Sequence, residues 1–129
     1  MIENKISVLI NKSISEVFEF TINPKNTHKW IDSIEKEETN EWPVKVGSIY
    51  RNVDTTGKWT HYILTSLNQN SIFELASKDN GYHVRYTYTP VGENSCNLEY
   101  FEWMDFGELT SPFSQNVLEK LKEVMESGN

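Results

Sequence analysis

The side chains able to do acid, base or ligand chemistry in this sequence are few. The histidines, His28, His61 and His83, do not fall two to a helical turn, the spacing that a metal site on a helix requires, so no metal site is expected. No serine lies in a G-x-S-x-G turn, and neither a P-loop nor G-x-G-x-x-G occurs, which leaves acyl-enzyme and nucleotide chemistry without a carrier. Cys96 is the only cysteine; it excludes an intrachain disulfide or thiolate cluster and is read as a small semi-buried side chain.

Glu102 stands out. It shares a strand face with Leu98, Tyr100, Met104 and Phe106, where a carboxylate is costly to bury unless paired and where burial makes it a candidate acid or base. Arg51, in phase with Ile49 and Val53, is the candidate counter-ion. The alternative has Phe101 and Trp103 inward and Glu102 solvated. His61, in phase with Trp59 and Ile63, is a candidate general base or partner for a ligand carbonyl. The opposite phase, with Tyr62 and Leu64 inward, is preferred by a small margin. Tyr82, Val84, Tyr86 and Tyr88 share one face, and buried tyrosines need partners for their hydroxyls. They form either a satisfied structural network or the polar end of a ligand pocket. Trp30 and Trp59 read as packing residues at a rim, with His28 on the surface beside Trp30 and His83 outward with Arg85 and Thr87.

These side chains need elements to position them. Thr110–Ser127 places Phe113, Val117, Leu118, Leu121, Val124 and Met125 on one helical face, with Thr110 or Ser111 as N-cap, Pro112 in the first turn and Gly128 as the stop. Lys5–Ile10 alternates as a strand. Ser13 or Ser15 then caps a helix through Val17, Phe18 and Ile22 that ends before Pro24, and a second brief helix is expected over Lys25–Asp32. Ser33–Thr39 fits only an edge strand, because of its charges. Strands follow from Gly47 to about Val53, Lys58–Leu67, Ile72–Ser77, Tyr82–Thr89 and Ser95 to about Phe106. They are separated by turns at Thr56-Gly57, Asn68-Gln69-Asn70, Asp79-Asn80-Gly81 and Pro90–Asn94. Connections this short make sequential strands antiparallel neighbours.

A chain of 129 residues is the size of a single domain, 1–129. Nineteen acidic against 12 basic residues give a net charge of −7, which repels nucleic acid and anionic membrane surfaces. No leader or long apolar run occurs, so a cytoplasmic protein without stable membrane insertion is expected. Four Trp, six Tyr and six Phe are generous for the size.

The order of elements, with the run Ile6-x-Val8-x-Ile10 into Ser15-Glu16-Val17-Phe18-x-Phe20, resembles the START-like helix-grip (SRPBCC) superfamily in its polyketide cyclase/dehydratase branch. Asn23-Pro24 ahead of Trp30, Val46-Gly47 opening a strand, Trp59 after a glycine turn and the final amphipathic helix belong to the same resemblance. It implies an α+β helix-grip fold: a curved antiparallel sheet of about seven strands around a long C-terminal helix, two short helices after strand one, and a cavity between sheet and helix. The expected function is binding of a small hydrophobic or aromatic molecule, as carrier or sensor, with no cofactor, by a monomer or homodimer. Pocket candidates are Trp30, Arg51, His61, Tyr86, Tyr88, Tyr100, Glu102, Phe113 and Val117. The alternatives are a cyclase/dehydratase-like enzyme using His61 or Glu102 as acid or base, and a co-chaperone-like interaction module.

Overall fold

The computed structural model describes residues 2–127. The chain runs β1 (Glu3–Ile10), α1 (Ile14–Ile22), a 3-10 helix (Pro24–Lys29), β2 (Ile34–Thr39), β3 (Ile49–Asp54), β4 (Trp59–Asn68), β5 (Ile72–Ser77), β6 (Tyr82–Gly92), β7 (Ser95–Met104) and α2 (Gln115–Glu126). The seven strands form one antiparallel sheet in the order β1-β7-β6-β5-β4-β3-β2, curled into a half-barrel. Only β1 is out of sequence order, returning to pair with β7.

Local chemistry sets these bounds. Ser13, not Ser15, caps α1: its hydroxyl accepts the Glu16 N–H and the Glu16 carboxylate accepts the Ser13 N–H, each at 3.3 Å. At the β5–β6 turn Gly81 takes φ +73°, and the Phe106 ring lies 2.8 Å from where a Cβ would sit, so only glycine fits. The charged strand β2 lies at the sheet edge, where its Glu and Lys side chains discourage a second sheet from pairing.

The concave face holds the core. Ile10, Val17, Leu64, Cys96, Leu98, Leu118 and Leu121 are fully buried there, and α2 packs most closely on β1. Each buried Leu on α2 contributes about 1.5–3 kcal/mol.

The C-terminal helix starts later than its apolar period predicts. α2 begins at Gln115 after Ser114, whose side chain makes no capping bond, and Thr110, Ser111 and Pro112 lie in irregular chain. The cause is tertiary. The Phe113 N–H donates to Glu102 and the Phe113 carbonyl accepts from Asn4, so the peptide groups on both sides of Phe113 are held to the sheet and withheld from a helical turn. Gly128 lies outside the described residues.

Strand phase removes Arg51 and His61 from the candidate pocket and bears out the preferred phase of β4. In β3 the inward residues are Tyr50 and Asn52, and in β4 they are Tyr62 and Leu64. Arg51 and His61 face each other across β3 and β4 on the convex side. Phe106 lies beyond the end of β7 and is exposed.

Candidate functional site

Between the concave face, the 3-10 helix and the segment before α2 lies a cavity of about 160 Å³. Its floor is made by alternate residues of the central strands: Phe73 and Leu75 on β5, Val84 and Tyr86 on β6, Tyr100 and Glu102 on β7. Period-two alternation puts each pair on one face, and the curl of the sheet brings the far strands round to meet them.

Glu102 is 1% exposed and fully engaged. Its Oε2 accepts from Asn4 Nδ2 at 2.9 Å and from the Phe113 N–H at 2.6 Å, and its Oε1 accepts from the Tyr82 hydroxyl at 2.7 Å. Asn4 Nδ2 also donates to the Phe113 carbonyl at 2.9 Å. Glu102 and Asn4 thus grip the backbone on both sides of Phe113, in the chain that roofs the cavity. The Phe113 ring they position stacks on Tyr100 at 4.2 Å and meets Trp30 edge-on at 6.3 Å. Glu102, expected as an acid or base paired with Arg51, is instead bonded by neutral donors and acts as a latch.

Glu37 is the second carboxylate of the cavity. It accepts from the Thr27 hydroxyl at 2.6 Å and from Asn52 Nδ2 at 3.1 Å. Burial, outweighing those two hydrogen bonds, pushes its carboxyl above the ordinary value of 4.5. Burial also pushes the Tyr62 hydroxyl up to about 12, with the nearby Glu37 charge adding to the effect, and raises Tyr82, Tyr86 and Tyr100. These tyrosines are neutral donors at physiological pH. The Tyr86 hydroxyl has no hydrogen-bond partner among the described residues, although the residue is only 7% exposed.

Of the residues singled out in the sequence, Tyr86, Tyr100, Glu102 and Phe113 come together on this cavity. Trp30 is 2% exposed, so it is a core residue and not a rim one; its Nε1 has no partner among the described residues. Trp30, Phe113 and Val117 line an adjoining outer groove of about 400 Å³, which shares Ile31, Ser111 and Phe113 with the interior cavity. Tyr88 lines neither: its hydroxyl is taken up by Thr21, a residue of the cavity wall, at 2.6 Å, and its ring is packed edge-on to Phe18. Arg51 pairs with Glu38 and lies over the Trp59 ring, and His61 is beside it; both are on the wrong face for the cavity. His83 bonds Asp105 at 2.7 Å and stacks on Trp103, also outside.

Glu37, Asn52 and Asn4 were not anticipated. Asn4 was legible, two residues before Ile6 in the same strand phase. Glu37 was not: the register shift in β2 between Ile34 and Lys36 puts Ile34 and Glu37, three apart, on one face, which strict alternation forbids. No group of three or more His, Cys, Asp or Glu side chains able to hold a metal occurs among the described residues. No helix among them is long and apolar enough to cross a membrane.

A half-barrel sheet closed by a C-terminal helix, with a small aromatic-walled cavity on its concave side, defines a START-like helix-grip protein. The chain belongs to the family described as polyketide cyclase / dehydrase and lipid transport, whose model matches residues 1–128. A START superfamily protein from Mycobacterium smegmatis superposes with a TM-score of 0.75 at 13% identity, over 100% of both chains. Norcoclaurine synthase from Thalictrum flavum, solved in complex with dopamine and hydroxybenzaldehyde, matches at 0.67 and 12% identity over 98% of this chain and 87% of its own. The Aha1 dimer from Colwellia psychrerythraea matches at 0.64 and 15%, over 98% of this chain and 90% of its own. At such identities these likenesses concern the fold. No curated protein matches the sequence.

Proposed function

We propose that the protein binds a small aromatic molecule in the cavity between the sheet and the chain leading into α2, as a carrier or sensor. The observation that carries this reading is an open space on the concave face: Tyr86 faces it with a hydroxyl that has no hydrogen-bond partner among the described residues, and Phe73 and Tyr100, which pack on Tyr86 at 5.3 and 5.2 Å, wall the space without filling it. Open to the cavity, that hydroxyl can hydrogen-bond a bound molecule. The size fits one ring, since an apolar cavity of about 150 Å³ accepts benzene. Larger ligands would need Phe113 to swing away and merge the interior with the outer groove. The fold relative that holds dopamine and hydroxybenzaldehyde is in keeping with a ligand of this kind.

Native mass spectrometry of the protein purified gently from its own cells, followed by denaturation, tests the proposal. A discrete small aromatic compound released on denaturation is expected. A clean unliganded mass, together with no thermal shift against a panel of single-ring aromatics, would overturn it.

The raised carboxyl of Glu37 favours a second reading, an enzyme of the cyclase or dehydratase kind in which Glu37 takes a proton from the carbon beside a ligand carbonyl. In that case Glu37→Gln abolishes turnover while leaving ligand affinity within a few-fold.

A further inference from the structure

The cavity that we read as a ligand site has carboxylates and no cation. Glu37 and Glu102 both line it, and none of its lining residues is Lys, Arg or His. Every protein partner of either carboxylate is a neutral donor: Thr27 and Asn52 for Glu37, Asn4, Tyr82 and the Phe113 N–H for Glu102. Buried charges are ordinarily paired. Here no cation among the described residues pairs with either carboxylate.

The carboxylates arrive from opposite ends of the sheet. Glu37 is on the edge strand β2 and Glu102 on β7, next to the other edge. Glu102 is spent on the three donors that hold the cavity roof. Glu37 accepts only two, and a carboxylate has about four lone-pair sites, so it keeps capacity for a ligand.

The rest of the wall suits a cation as well. Tyr62, Phe73, Tyr82, Tyr86, Tyr100 and Phe113 line the space, and aromatic faces carry the negative lobe of the ring quadrupole, which attracts ammonium groups. Tyr86 adds an unpartnered hydroxyl whose oxygen can accept from an ammonium N–H. An anion would meet repulsion from both carboxylates, and a neutral molecule would leave Glu37 without a counter-charge.

We propose that the cavity takes a protonated amine carried on a single aromatic ring, with the ammonium against Glu37 and the ring among Tyr62, Phe73, Tyr86 and Tyr100. The proposal rests on the ligand-cavity reading above and adds the sign of the charge.

Calorimetric titration of the full chain near pH 7 with phenethylamine, phenethyl alcohol and phenylacetate tests it, because the three probes share a ring and differ in charge. Phenethylamine is expected to bind about tenfold or more tightly than the alcohol, the margin of a charge-assisted over a neutral hydrogen bond. Phenylacetate should bind weakest. Glu37→Gln should abolish the preference for the amine over the alcohol; Tyr86→Phe should weaken the amine more than the alcohol. An amine that binds no tighter than the alcohol, or a preference that survives Glu37→Gln, overturns the proposal while the ligand-cavity reading stands. Binding of none of the three, with the tyrosine ring resonances of the cavity unmoved, overturns both. If the variant fails to fold, the charge series on the unaltered chain decides alone.

Discussion

Tyr86 and Tyr88 project from the same face of β6, two residues apart and both nearly buried, yet the hydroxyl of Tyr88 meets Thr21 at 2.6 Å whereas that of Tyr86 meets the cavity. The surroundings differ in the same way. Around Tyr88 the concave face is apolar and filled, with Phe18 of α1 against the ring and Ile10, Cys96 and Leu98 fully buried nearby in the core. Around Tyr86 it carries Glu37, Asn52, Tyr82 and Glu102. A regular helix covers the first region. The second is roofed by a 3-10 turn and irregular chain, which press single side chains, Trp30, Ile31 and Phe113, toward the sheet and leave a space between them. One sheet face is therefore built in two ways, filled at one end and open at the other.

The largest effect expected from breaking this contrast is at the filled end. Leu98→Ala should cost about 2–5 kcal/mol by urea unfolding, because a close-packed site collapses only partly around a deletion. Phenethyl alcohol affinity, measured on the folded fraction, should stay within a few-fold. Next is Glu102→Ala, which strands the donors of Asn4, Tyr82 and Phe113 and should cost about 1–3 kcal/mol. Its particular signature is faster amide hydrogen exchange at Phe113; unchanged exchange there would deny Glu102 its role as latch.

The hydroxyl pair sharpens the comparison. Tyr88→Phe should lose about 1 kcal/mol with its bond to Thr21. Tyr86→Phe should change stability by no more than about 0.5 kcal/mol, since no protein partner is lost. Equal losses in the two variants would mean that Tyr86 is as structural as its neighbour.

The smallest effect is the pH dependence. The Glu37 carboxyl is raised in the folded state, so the fold binds its proton more tightly than the unfolded chain does. Stability from this group is full below the ordinary value of 4.5 and declines as pH rises through the raised one. Glu37→Gln should remove that decline, so that the variant gains on the parent between about pH 4.5 and neutrality in thermal unfolding. A constant offset across this range would contradict the assignment.

How much of this was legible depended on whether local pattern and tertiary demand agreed. The strands from β3 to β7 and their turns followed from alternation and from Gly and Asn punctuation, and Glu102 was found because β7 alternates without interruption. The inward phase of Tyr62 and Leu64 was preferred only narrowly, because Trp59, His61 and Ile63 make an equally plausible inner face until the partners Arg51 and Glu38 are seen on the convex side. Glu37 stayed hidden behind a bulge, which is a property of pairing and not of composition. The first turn expected of the C-terminal helix was lost to Asn4 and Glu102, residues about a hundred positions and ten positions away, a competition that helix propensity cannot register.

The central claim is that one end of a continuous aromatic face is reserved for a ligand. Following tyrosine ring resonances during titration with phenethyl alcohol, a neutral probe, addresses it most directly. Tyr62, Tyr86 and Tyr100 should shift in a saturable manner while Tyr50 and Tyr88 stay in place. Shifts centred on Tyr88, or none at any tyrosine up to the solubility limit of the probe, would contradict the account.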